Sequence, residues 1–277
     1  MHRKPVVAGH FYERKTERLI EEIKHCFLKG PGEIPEVKRG GGKIKGVVVP
    51  HAGYIYSGYV AAYVYREIAR DGFPEKFIIL GPNHHGYGAA VAIMTEGTWE
   101  TPLGEIKIAD DAEKYCRGII QKDEIAHKYE HSIEVQLPFL QFLSQDFTFI
   151  PICFGWQDWE TVREVGSILA DAEDAIIIAS SDFSHVNFSG FPTEDDIEEH
   201  VKKKDMMAIE EILQLNAEGL IEKVEKENIT MCGYGAVAAM LEALKGRASQ
   251  AKLLKYATSY DVEPGTYCVG YAAIVIE

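Results

Sequence analysis

The stretch VVVPHAGYIYSG, residues 47–58, carries three valines into a proline, a histidine and a glycine. Short runs of β-branched residues are what strands buried on both faces look like. The stretch therefore reads as an interior strand that ends by presenting an imidazole in a tight turn. The design returns in FIILGPNHHG (77–86) and AIIIASSDFSH (175–185). Three interior strands ending in polar clusters predict a sheet whose strand ends converge on one site, because open α/β sheets bind ligands outside the carboxyl ends of their strands.

Working outward, further Val- and Ile-rich runs place strands at 45–49, 76–80, 89–94, 147–154, 175–180, 253–259 and 267–276. Amphipathic helical patterns alternate with them. RKTERLIEEIKHCFLKG (14–30) sets Leu19, Ile20, Ile23 and Phe27 at helical spacing and closes on Gly30. Others span 58–70, 132–143, 159–170, 195–213 and 234–244. This alternation predicts an α/β sandwich of three layers, a mixed and mostly parallel sheet between helices. The Gly- and Pro-rich loop KGPGEIPEVKRGGGK (29–43) is too short and too early to divide the chain, so residues 1–277 read as one domain.

The 29 basic and 43 acidic residues leave a formal charge of −14, which repels nucleic acid and anionic lipid. No apolar run reaches the roughly 18 residues of a membrane span, and the first residues lack a signal-peptide core. Five cysteines without a CxxC pair fit neither a disulfide framework nor a zinc knuckle. A reducing cytoplasm is the expected compartment.

The polar clusters are Pro50-His51-Ala52-Gly53, Gly81-Pro82-Asn83-His84-His85 and Ser180-Ser181-Asp182-Phe183-Ser184-His185. A fourth, in YEHSIEVQLPF (129–139), brings Glu130 and His131, with Glu134 a turn later. Several imidazoles and an aspartate at one rim suit a metal site or general acid–base chemistry. His2, His25, His127 and His200 sit in charged or helical surroundings and read as surface residues. Tyr54, Tyr56 and Tyr59 suit packing as well as ligand contact.

Cys232, in NITMCGYGAVAAMLEAL (228–244), falls at the start of an apolar helix. Such a position lowers a thiol's pKa and favours a nucleophile or soft ligand, while a small buried residue in a Gly-flanked turn is the alternative. The other four cysteines read as core fillers. A serine nucleophile at Ser180 or Ser181 lacks a GxSxG elbow.

The series AGHFY, PHAGYIYSG, LGPNHHG, TPLGEI, EHSIEVQLPF, SSDFSH, MCGYG and YCVGYAAIVI resembles the motif series of the Memo (mediator of cell motility) family, in order along essentially the whole chain. The resemblance implies a fold similar to class III, LigB-type non-haem iron dioxygenases. It also implies a metal pocket of two histidines and a cysteine, here His51, His84 (with His85 its adjacent alternative) and Cys232. Asp182 and His185 match further pocket residues, and His131 the histidine of the EHSIE motif. Phe11 stands where family members often have Trp, beside the region that binds phosphotyrosine peptides in the animal protein. Gly-Tyr-Gly follows Cys232 where the animal proteins carry a basic stretch.

A His-His-Cys set is soft, favouring Fe(II), Cu(I) or Zn(II) over Mg(II) or Ca(II). His185 and His131 would serve as general acid and base, with Asp182 orienting an imidazole or completing the ligand set. The first expectation is an iron- or copper-dependent redox or dioxygenase-like enzyme. The alternatives are a binding protein taking peptides or small anions in the same pocket, and a zinc hydrolase. A small molecule or peptide is the expected ligand, and the sequence points to no particular oligomer.

Overall fold

The computed structural model of the chain describes residues 2–277. In order, its first elements are β1 (His2–Arg3), α1 (Thr16–Lys29), β2 (Gly46–Val49), α2 (Tyr59–Asp71), β3 (Lys76–Pro82) and β4 (Val91–Ile93). There follow β5 (Thr98–Thr101), β6 (Gly104–Lys107), β7 (Ile120–Lys122), α3 (Leu137–Leu143), β8 (Thr148–Phe154), α4 (Trp159–Leu169) and β9 (Ile176–Ser180). The last are β10 (His185–Asn187), α5 (Glu194–Leu213), α6 (Ala217–Glu227), α7 (Tyr234–Ala243), β11 (Ala251–Thr258) and β12 (Tyr267–Ile276).

The main sheet runs β10-β12-β2-β9-β3-β8-β4-β7, with β11 paired to β12. Its centre, β2, β9, β3 and β8, is parallel. These are the strands that read as continuous apolar runs, and every residue of β2, β3 and β9 is buried. Antiparallel partners flank them, β12 against β2 and β4 against β8. Helices α1, α2 and α3 pack together on one face, α2 crossing β2 and β12. Helices α4 to α7 cover the other, α7 lying on β2, β3 and β9. Gly46 lets α7 approach: a Cβ there would meet Leu244 Cδ1 at 2.7 Å and Met240 Sδ at 2.8 Å. The sandwich expected from the sequence is the one formed.

The register aligns the strand ends. Val49 is partnered with Ser180, and Leu80 with Ala179. The chains leaving β2, β3 and β9 therefore rise from one edge, where His51, His84 and Asp182 follow within a few residues.

Some expectations need correction. The chain enters α2 through a π-helical turn, Tyr54–Gly58, where a helix from residue 58 was expected. β1, β5, β6, β7 and β10 are too short to carry a period, and β1, β5 and β6 form a separate small sheet. Helix α6 did have signals, an Asn216 cap on the Gly219 N–H and apolar Leu220, Ile221 and Val224. His127, expected at the surface, is fully buried, its ring packed against Trp99 and its Nε2 3.2 Å from the Ala92 carbonyl, while Lys122 and Lys128 on either side are exposed. Burial lowers its pKa to about 4. Among the described residues, no helix is long and apolar enough to cross a membrane.

Candidate functional site

The turn after β2 is gripped from two sides. The His51 N–H donates to Asp182 Oδ1 (2.8 Å), and the Tyr54 N–H to the Phe11 carbonyl (2.7 Å). The turn after β3 is an Asx turn, Asn83 Oδ1 accepting the N–H groups of His85 and Gly86. It turns the His84 ring, still 31% exposed, toward buried Glu130, whereas His85 lies outside toward Tyr87. The 129–136 segment crosses over β3 because Gly81 has no side chain; a Cβ there would meet Ser132 Oγ at 2.5 Å.

At this rim three rings cluster. His84 and His131 stack at 4.6 Å, and His51 meets them edge-on at 5.2 and 5.5 Å. His51 Nε2 lies 3.3 Å from Cys232 Sγ, and its Nδ1 lies 2.9 Å from Ser180 Oγ. His84 Nδ1 lies 2.9 Å from Glu130 Oε1. Ligand atoms of His51, His84 and Cys232 all fall within 4.8 Å of one another, as do those of His84, Glu130 and His131. Neither group includes Asp182 or His185.

The electrostatics divide the imidazoles. Burial, then the neighbouring rings, holds His51 well below its ordinary value. Burial likewise lowers His131 to about 4, leaving it neutral near pH 7 and a weaker base than a free imidazole. Burial opposes the charged form of His84 too, but the hydrogen bond and charge of Glu130 outweigh it and raise the ring. Burial alone would raise Glu130; His84 and the surrounding N–H donors hold it well below the carboxylate range.

Cys232 departs from the helix-start expectation. It precedes α7 by two residues, and loss of solvent, then the Asp182 charge, pushes its thiol pKa up. Without a cation nearby, desolvation outweighs the helix dipole. A bound cation reverses that logic, since a coordinating thiol gives up its proton. Gln157 fixes the position, its amide donating to the Cys232 carbonyl (3.0 Å) and accepting the Gly235 N–H (2.8 Å). Gly233 is needed there, since a Cβ would meet Ser180 O at 2.6 Å.

Asp182 is buried, desolvation raising its pKa, and its carboxylate binds the main chain of His51 instead of a ring. His185 lines a cavity of about 310 Å³ together with Phe11, His131, Asp182 and Tyr271. Its Nδ1 lies 3.2 Å from the Thr230 carbonyl. Phe11 meets the His131 ring edge-on at 4.6 Å. Larger clefts of about 570 and 590 Å³ open at the amino ends of the strands, around Lys45 and Lys76, but the two ligand groups above are not there. Size and chemistry thus point to different places, and the chemistry decides.

The family model described as "Memo-like protein" matches residues 3–275. The chain belongs to the Memo family. A MEMO1 family protein of Methanopyrus kandleri is 46% identical over 99% of each chain. Another, of Methanosarcina mazei, is 44% identical, again over 99% of both. Among solved structures, an uncharacterized protein of Escherichia coli K12 matches with a TM-score of 0.50 at 15% identity, covering 84% of this chain and all of the other, a likeness of fold alone.

This Memo-family site also contains residues the sequence reading did not single out. Glu134, read with the pocket cluster, lies beneath it, fully buried against Arg3 (2.8 Å) and accepting from the Val6 and Val7 N–H groups and the Tyr12 hydroxyl. Arg3, Tyr12, Gln136 and Gln157 carried no local signal, because their partners are distant in sequence. Ser180 and Ser181, the discounted nucleophiles, are buried and hydrogen-bonded.

Proposed function

We propose that the chain is a metal-dependent redox or dioxygenase-like enzyme that holds iron or copper through His51, His84 and Cys232. The observation that carries the reading is the mutual approach, within 4.8 Å, of two imidazole nitrogens from the ends of β2 and β3 and a thiol from the turn before α7. The donor set fits such a metal. Each ring has its Nδ1 occupied by a protein partner, Ser180 or Glu130, as outer groups around metal-binding histidines commonly are. The sulfur supplies the softness that favours Fe(II), Cu(I) or Zn(II) over hard cations. When bound, the metal would supply one-electron or dioxygen chemistry at its open position.

The chain's own residues account for the rest of the chemistry. The 310 Å³ cavity next to the rings admits a small ligand or the side chain of a peptide. Phe11 and Tyr271 shield one side from water. Neutral His131 hydrogen-bonds a ligand there without becoming charged, and His185 lines the same cavity. Asp182 keeps the His51 turn in place.

Native protein analysed for metals, then reconstituted anaerobically with Fe(II) or Cu(I), tests this. Roughly one metal per chain, lost in His51→Ala and Cys232→Ser, is the expected result. Uptake that neither variant abolishes refutes the site. A site filled only by zinc would favour hydrolysis.

A further inference from the structure

We propose that Ser180 is a positioning residue that locks His51 in the tautomer carrying its proton on Nδ1, and that the Ser132 carbonyl, by holding the Ser180 hydroxyl proton, sets the direction of this lock. The inference rests on the metal-site reading above for its purpose, though not for its geometry. Two main-chain carbonyls, which only accept hydrogen bonds, fix every proton in the relay.

Gln136 Nε2 lies 3.0 Å from the Pro50 carbonyl and 2.7 Å from Ser180 Oγ. The carbonyl requires a donor opposite it, so the amide nitrogen of Gln136 faces both groups, one N–H to each. The Gln136 oxygen points away to the Tyr65 hydroxyl (2.5 Å). Ser180 Oγ in turn lies 2.6 Å from the Ser132 carbonyl, which takes the only hydroxyl proton. Ser180 is left with two lone pairs. One accepts from Gln136, and the other faces His51 Nδ1 at 2.9 Å. Nδ1 must therefore donate.

His51 and Ser180 are both buried, so water does not substitute for either partner. The consequence lies at the other nitrogen. Nε2 carries the lone pair, 3.3 Å from Cys232 Sγ. A free neutral imidazole prefers the opposite tautomer, with its proton on Nε2. In that form His51 would turn an N–H toward the position where a ligand atom is needed. His84 reaches the same arrangement by simpler means, since the Glu130 carboxylate can only accept from Nδ1. The two rings thus present matching Nε2 donors, one set by a carboxylate and the other by a neutral three-residue relay.

The test uses the full-length protein, first free of metal. Isotope-labelled histidine observed by nuclear magnetic resonance above the ring's pKa reports which nitrogen carries the proton. The wild-type His51 is expected to be protonated on Nδ1, and Ser180→Ala to populate the Nε2–H form. Cobalt(II) titration then follows the effect on ligation, with a roughly tenfold to hundredfold loss of affinity expected in Ser180→Ala. Should Ser180→Ala not fold, the wild-type spectrum still decides, since His51 protonated on Nδ1 supports the lock and His51 protonated on Nε2 overturns it. A wild-type His51 protonated on Nε2, or a tautomer indifferent to Ser180→Ala, overturns the proposal. Because the tautomer is read without metal, failure of the wild type to bind cobalt counts against the metal site alone.

Discussion

Replacing Glu130 with glutamine changes almost no volume but removes a buried charge that four N–H donors share. Oε1 accepts from His84 Nδ1 (2.9 Å), the His131 N–H (2.8 Å) and the Ser132 N–H (2.9 Å), while Oε2 accepts the His84 N–H (2.6 Å). A glutamine can keep its oxygen at the first position, but its amide then opposes the His84 N–H, donor to donor. One stranded N–H and the loss of charge from the remaining bonds together cost about 2–4 kcal/mol in metal-free protein. The pH dependence carries a sign. The folded pKa of His84 is raised, so its contribution is fully present below its unfolded value and disappears as pH rises through the folded one. Glu130 is depressed, so its contribution is present above its unfolded value and fades as pH falls toward the folded one. Both describe one interaction, counted once. The stability gap between wild type and Glu130→Gln is therefore widest between about pH 4.3 and 6.5 and narrows in alkali. Guanidinium denaturation at about pH 6 and about pH 9 measures it. Equal midpoints at the lower pH, or a gap that widens in alkali, would refute the reasoning.

Glu134→Ala leaves buried Arg3 facing an empty acceptor and should destabilise by about 3–5 kcal/mol, measurable by urea titration. A cost below about 1 kcal/mol would show that the surrounding carbonyls already satisfy the guanidinium. Gly233→Ala drives a Cβ to within 2.6 Å of Ser180 O and 2.8 Å of Ser181 Cβ, so about 1–3 kcal/mol of overpacking is expected, read as a lower melting temperature. In Phe11→Ala, water reaches His131, and since burial is the main cause of its low value, its pKa should rise from about 4 toward the ordinary range. A resonance titration still centred near about 4 would contradict that cause. His127 also sits near about 4, so wild-type stability should fall as pH drops below about 6.5. His127→Phe should lose less over the same acid range.

The chain by itself determined its central strands and where they end. GVVV, KFIILGP and IIIAS are too apolar and too short to be anything but interior strands, and their parallel order follows from the helices between them. The histidines after those strands were visible too, since Gly and Pro mark the turns that carry them. Local pattern could not show which groups meet across the sheet. The pairing of Val49 with Ser180 and Leu80 with Ala179 is what levels the strand ends, and register is a property of two segments, not one. Only packing separated His84 from His85, buried His127, and set the Cys232 thiol in a site where desolvation outweighs the helix dipole. Only the folded chain brings Gln136, Ser180 and His51 together, because hydrogen bonds spanning 44 and 129 residues leave no trace in local periodicity.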